Sequence, residues 1–261
     1  MGADCNRSQP GEPDTAPATD LFFNTIRHSP LAGHPDVLLV QARYDADFYR
    51  DSLFADYRLP FPEHLNRAVT KRRAEYLVSR VCVRAALRQF GVADFLLVND
   101  ADRAPVWPEG IAGSLSHTRA CITLLLTSTA AGKLPGVDCE EIMRPEAAEE
   151  MRDMIINERE YSLLQRSGVP FATSLTAAFS LKESLYKALF PFFRQFMHFN
   201  DAEIIDCRAG LTHVTLRLNR GLSCLPVGTL FTGCVVLDKE WLTSWVILPH
   251  PSSGTGVPLH Q

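Results

Sequence analysis

Several features that would assign the chain to a class at once are missing from its sequence. Its seven cysteines (Cys5, Cys82, Cys121, Cys139, Cys207, Cys224 and Cys234) contain no C-x-x-C pair. An odd count without paired spacing argues against both a zinc knuckle and a disulfide framework, so reduced thiols in a cytoplasmic protein are the simpler reading. No apolar run approaches the roughly 20 residues needed to span a bilayer, since 122–126 and 189–193 are far shorter. Residues 1–20 lack the basic start and apolar stretch of a secretory signal, and their polar, proline-rich composition predicts a disordered tail. Charge of neither sign dominates. The 26 Lys and Arg against 30 Asp and Glu give a net charge of −4, so nothing global recommends a nucleic-acid or membrane partner. There is no P-loop and no G-x-G-x-x-G, and no glycine follows Ser116 where a nucleophile elbow would require one.

What is present is enough apolar material, 46% of 261 residues, for one large domain or two small ones. Residues 37–40 read as a strand, and 62–91 as a long helix with proline near its start and glycine after its end. A short strand is predicted near 95–98. The apolar runs 121–126 and 137–142 suggest a hairpin with a long loop. Pro145 opens an acidic helix, a second begins near Asn157, and a third runs from about Phe171 to Phe190, where Pro191 should stop it. Partial alternation in 211–218 and the β-rich runs 230–237 and 241–248 predict a small antiparallel sheet. The mixture indicates an α+β fold, with two similar subdomains meeting near residue 130.

Four constellations could carry chemistry. In Gly136-Val137-Asp138-Cys139-Glu140, alternate strand residues share a face, so Asp138 and Glu140 project side by side. The pair suits a hard cation such as Mg²⁺, although alternating acids also occur on solvated strand edges. In the run 179–187, Glu183 and Lys187 stand at i, i+4 and interrupt a largely apolar stripe of Phe179, Tyr186 and Phe190. A surface ion pair is the plain explanation, and a ligand or metal the sharper one. The helix after Pro62 carries Arg67, Lys71, Arg72, Arg73, Arg80, Arg84 and Arg88, with Arg73, Arg80, Arg84 and Arg88 near one face. A solvated face, a nucleic-acid patch or a phosphate site would each use them. Finally, Ser116-His117 ends a glycine-containing segment and could donate hydrogen bonds to phosphate.

Taken in order, K-R-R-A-E-Y-L-V-S-R (71–80), R-A-P-V-W-P-E-G-I-A-G-S-L-S-H (103–117), G-V-D-C-E (136–140) and F-S-L-K-E-S-L-Y-K-A-L (179–189) resemble the successive motifs of the 4'-phosphopantetheinyl transferase superfamily, in the branch of the enterobactin synthetase component D. The resemblance covers residues 35–205. It implies two similar α/β subdomains in a pseudo-twofold arrangement, 21–130 and 131–250, with coenzyme A and Mg²⁺ in the cleft between them and a flexible tail at 251–261. It implies metal binding by Asp138, Glu140 and Glu183, with Glu183 also the general base and Lys187 at the pyrophosphate. Arg72, Arg80, Arg103, Ser116, His117, Asp138, Lys182 and Lys187 would contact coenzyme A. The implied reaction moves the phosphopantetheine arm of coenzyme A to a serine of an acyl or peptidyl carrier protein, for siderophore, fatty acid or polyketide synthesis. It releases adenosine 3',5'-bisphosphate, and a cytoplasmic monomer is expected. Cys139 stands where an aliphatic residue is common and should pack away from the acids, and Phe179 stands where tryptophan is frequent. Other readings are a metal-dependent phosphohydrolase and a nucleic-acid-binding module using the arginine helix.

Overall fold

The computed structural model describes residues 21–250, so the tails expected at 1–20 and 251–261 lie outside the described residues. In chain order the first elements are β1 (Phe23–Leu31), β2 (His34–Tyr44), α1 (Leu53–Asp56), α2 (Thr70–Arg88), β3 (Val98–Asn99), β4 (Pro105–Val106), β5 (Ile111–His117) and β6 (Cys121–Ser128). They are followed by β7 (Lys133–Glu141), α3 (Pro145–Ile155), α4 (Glu158–Leu164), α5 (Phe171–Phe193), β8 (Ala202–Cys207), β9 (His213–Leu218), β10 (Leu230–Asp238) and β11 (Trp241–Pro249). Helices and strands are mixed throughout, as an α+β fold requires. The strands form one antiparallel sheet in the order β1-β2-β6-β5 and another in the order β7-β11-β10-β9-β8, with β3 and β4 as a separate short pair.

Each sheet is covered by one long helix. Ala74, Leu77, Val78, Val81 and Cys82 recur at helical spacing along α2 and are buried against Ala42, Tyr44 and Ile122 of the first sheet. Leu181, Leu185 and Ala188 do the same for α5 against Leu216 and Val246 of the second. The continuous apolar run of β6 follows from burial on both faces. Leu124 and Leu126 meet α2, whereas Leu125 turns the other way and joins Leu31, Val37, Val137 and Trp245 in a cluster between the two sheets.

The starts expected at Pro145 and Asn157 are those observed. Asn157 accepts from the Arg159 and Glu160 amides while Glu160 accepts from the Asn157 amide, a reciprocal cap. Three expectations are corrected. The first long helix begins at Thr70, because 62–69 is occupied by a short 3₁₀ turn at Glu63–Leu65 and an extended link. Helix α5 continues past Pro191 to Phe193 before Arg194 ends it in the left-handed conformation, with φ at 53°. The hairpin of 121–126 with 137–142 does not form. β6 pairs with β5 and β2, and β7 pairs with β11 from the far end of the chain. Among the described residues no helix is long and apolar enough to cross a membrane.

Gly136 in β7 lies directly under α5. A Cβ at this position would fall 1.9 Å from the Ser184 carbonyl oxygen and 2.8 Å from the Ala188 amide nitrogen. Both obstacles are helix backbone, so only glycine lets strand and helix approach this closely. Gly136→Ala is therefore expected to destabilise the protein by about 2–3 kcal/mol, the usual range for overpacking. Urea unfolding would test this, and a change below about 0.5 kcal/mol would show that the helix can move aside.

Candidate functional site

A cleft of about 760 Å³ lies where β5, β7, α2 and α5 converge with the β3–β4 turn. Arg72, Arg80, Arg103, Ser116, His117, Asp138, Glu140, Glu183 and Lys187 all line it. Residues that are 115 positions apart in the chain are thus gathered around one space. Ser114 and Ser116 alternate on β5 and reach sideways to β7. The Ser114 hydroxyl accepts from the Val137 amide at 2.9 Å, and the Ser116 hydroxyl donates to Asp138 Oδ1 at 2.8 Å. From α5, Lys187 donates to the same Asp138 oxygen at 2.7 Å and to Ser116 Oγ at 3.0 Å. Glu183, one turn earlier on α5, faces the same cleft. Cys139 instead turns into the core, with its sulfur 4.0 Å from that of Cys121.

The acidic end is electrostatically crowded. Burial, the Asp138 charge and the Glu183 charge push the Glu140 carboxyl up to about 8 despite Lys187. Burial also raises Glu183, against the pull of Lys187. Burial pushes the Lys187 ammonium down, but Asp138 outweighs it and holds the group above its ordinary value. Asp138 Oδ2 is buried with no hydrogen-bond partner. Among the described residues no group of three or more His, Cys, Asp or Glu is placed to enclose a metal ion by itself. Mg²⁺ does not require such a group, because it takes one or two carboxylates and completes its shell with water and substrate phosphate. The orphaned Asp138 oxygen and the crowded Glu140 carboxyl fit that donor set.

The basic end is assembled differently. Arg103 sits in a turn with φ at 66°. Asp100 shapes this turn by accepting from the Asp102 and Ala104 amides, at 3.0 and 2.9 Å. The other Asp100 oxygen bonds Arg194 at the end of α5, which also lies 3.7 Å from Asp102. Arg80 lies over the Tyr76 ring, 3.9 Å from its centroid, and donates to the Leu97 carbonyl. Arg72 is exposed beside the buried Glu75. His117 is pushed below its ordinary pKa chiefly by burial, with Glu75 opposing.

Two groups of these cations are placed apart from the rest. Lys182 does not line this cleft, although it lines a neighbouring pocket that shares Glu183. Its side chain is 3% exposed and bonds Glu160 at 2.7 Å and the Ile155 carbonyl at 2.8 Å, tying α5 to α3 and α4. Nor is the arginine row of α2 a solvated stripe. Arg73 donates to the Leu65 and Asn66 carbonyls, and Arg84 to those of Tyr57 and Arg58, so both fasten the segment preceding the helix. Sequence reasoning passed over Glu75, although its place among Lys71, Arg72 and Arg73 was the available signal.

Comparison with known proteins places the chain in a family. Residues 61–126 match the 4'-phosphopantetheinyl transferase N-terminal domain, and 135–234 match the 4'-phosphopantetheinyl transferase superfamily. The enterobactin synthase component D of Salmonella typhimurium is 38% identical over 191 residues, which is 72% of this chain and 75% of that protein. The chain belongs to the 4'-phosphopantetheinyl transferase superfamily. The enterobactin synthase component D of Escherichia coli is 36% identical over 160 residues, 61% of this chain and 72% of the relative. The 4'-phosphopantetheinyl transferase Svp of Streptomyces mobaraensis is 33% identical over 157 residues, 58% and 63% respectively. The chain is therefore a phosphopantetheinyl transferase of the enterobactin synthase component D type, and the nucleic-acid and phosphohydrolase readings find no support.

The place of Lys182 is testable in this enzyme. Lys182→Met would leave Glu160 buried without its cation, a change that typically costs about 3–5 kcal/mol, while KM for coenzyme A stays within about twofold by this geometry. Chemical denaturation and steady-state kinetics would check both. A large rise in KM with unchanged stability would return Lys182 to the substrate site.

Proposed function

We propose that the cleft is where the phosphopantetheine arm of coenzyme A passes to the serine of a carrier protein. The observation that carries this reading is the convergence on one space of a partly unsatisfied acidic pair, Asp138 and Glu140, with Glu183 and four cationic side chains, Arg72, Arg80, Arg103 and Lys187. Transfer of a phosphoryl-linked group requires binding of a polyanion, stabilisation of charge on the leaving phosphate and removal of one proton from the nucleophile. The cleft offers side chains for each task.

Asp138 and Glu140 would hold Mg²⁺, with Glu183 as a further contributor. When bound, the ion would neutralise negative charge on the pyrophosphate. Arg72, Arg103 and His117 are offered to the phosphates, and Lys187, fixed by Asp138 and Ser116, to the pyrophosphate. Arg80 contributes at the wall through its remaining donor capacity. Glu183 accepts the proton of the carrier serine, a role favoured by the burial that raises its basicity. The serine oxygen then attacks the phosphorus bound to pantetheine, and adenosine 3',5'-bisphosphate leaves.

Division near residue 130 into subdomains 21–130 and 131–250 is supported by one helix covering one antiparallel sheet on each side, and by the two separate family matches. A pseudo-twofold relation between them is consistent with that plan. Likeness to enterobactin synthase components favours a peptidyl carrier of siderophore assembly as the acceptor. The described cysteines are free, in keeping with the reducing cytoplasm.

Intact-mass analysis of an apo carrier incubated with enzyme, coenzyme A and Mg²⁺ should show the gain of one phosphopantetheine arm. The gain should vanish with chelator or with Asp138→Ala. Glu183→Gln should retain coenzyme A binding while slowing transfer by at least about 100-fold. Near-normal turnover would remove Glu183 from the base role, and no gain with any carrier type would remove the transfer itself.

A further inference from the structure

Glu75 is an anion in the basic part of the cleft. It stands in the first half of α2, is 8% exposed, and lines the cleft beside cations expected to meet phosphate. A carboxylate there is doubly unfavourable. It is removed from water, and it repels the ligand the site is built to hold. Lys71 and Arg72 lie 3.9 and 3.6 Å away, but their side chains are 62% and 58% exposed. Solvated pairs of that kind contribute little. They do not account for a buried carboxylate.

His117 does. Its Nδ1 is buried and has no hydrogen-bond partner, and it faces Glu75 Oε2 at 3.8 Å. This is just beyond hydrogen-bond length. Catalytic and binding contacts of this kind are often long in the free enzyme and close when the ligand arrives. A neutral imidazole has one donor nitrogen and one acceptor, and both nitrogens donate only in the protonated ring. Burial, Arg72, Lys187 and Arg80 all disfavour that protonated ring, while Glu75 favours it.

We propose that Glu75 is a positioning residue for coenzyme A: its carboxylate accepts a hydrogen bond from the Nδ1–H of His117, so that the ring, held doubly protonated between two anions, donates a second hydrogen bond from Nε2–H to a phosphate oxygen of the substrate. This rests on the cleft being the coenzyme A site. Glu75 then acts through His117 alone. The ligand supplies the second anion, so the dyad closes only in the complex.

A double-mutant cycle tests this. Dissociation constants for coenzyme A would be measured by calorimetry in wild type, Glu75→Gln, His117→Ala and the double variant, with KM and kcat measured in parallel. Each single change is expected to weaken binding and raise KM by about tenfold, within the usual range for a hydrogen bond to a charged group. In the same variants kcat should change less than about threefold. The double variant should be no weaker than His117→Ala alone, and Glu75→Asp, which keeps the charge, should lose less than about threefold. Multiplying effects in the double variant would show that Glu75 acts independently of His117 and would overturn the proposal. So would unchanged affinity in Glu75→Gln. Long-range ¹H–¹⁵N spectra give a separate readout. In the coenzyme A complex both ring nitrogens of His117 should be protonated in wild type, and a neutral ring there would overturn the proposal even if affinity moved. Failure of the functional reading is distinguishable, because wild type would then neither bind coenzyme A nor load any carrier.

Discussion

The partly buried ion pair of Lys187 with Asp138, shared with the Ser116 hydroxyl, aligns everything else in the cleft. It joins α5 and β7 to the end of β5, so one contact fixes the second sheet and its helix to the edge of the first. A pair like this gives little net stability, since desolvation offsets most of the attraction. What it gives is geometry. One Asp138 oxygen is occupied by both Lys187 and Ser116, and the other is buried with no hydrogen-bond partner. Three carboxylates then share a single close ammonium, and the raised basicity of Glu140 and Glu183 expresses that imbalance. Fold energy is being held against the arrival of positive charge, which is how binding sites commonly depart from optimum stability.

Apolar contact supports this alignment from behind. Leu31, Val37 and Leu125 of the first sheet pack with Val137 and Trp245 of the second. Val137 is the neighbour of Asp138, so the residue that seals the junction and the residue that serves the cleft point to opposite faces of one strand. Polar links across the junction, Arg43 with Asp238 and Arg119 with Glu141, are largely exposed and contribute far less. The glycine of the G-x-D-x-E motif belongs to the same construction. It lets β7 run close enough to α5 for Lys187 to reach Asp138.

Local patterns were legible in the sequence, and long-range partners were not. The starts at Pro145 and Asn157 depend on side chains within a few residues, as do the last strands with their β-branched runs. The pairing of β7 was misread because its partner β11 lies a hundred residues away, and the adjacent β6 offered a nearer apolar run. Strand β1 escaped notice because most of it is exposed and polar, with a proline inside, so neither burial nor propensity marks it. The site residues were readable as motifs, but their directions were not. Lys182 and Glu183 are consecutive, and successive helix residues point about 100° apart. Glu183 turns to the cleft, and Lys182 turns to Glu160 and became a structural tie.

The same principle separates the arginines of α2. Arg73 and Arg84 donate to backbone carbonyls in the 57–66 segment, which has little regular structure of its own. Their fork of donors suits carbonyls as well as phosphates, so residue type could not tell the two uses apart. Exposure does. Arg72 keeps its charge in solvent at the rim, whereas Arg80 is committed to the Leu97 carbonyl and the Tyr76 ring. The cleft is thus polarised, with carboxylates on β7 and α5 at one end and cations on α2 and the β3–β4 turn at the other. Neither sheet with its own helix carries both ends. On the proposed reading, a ligand with several phosphates and an attached cation would match both ends only when the two sheets are joined, and the Asp138 contact would then govern binding as well as chemistry.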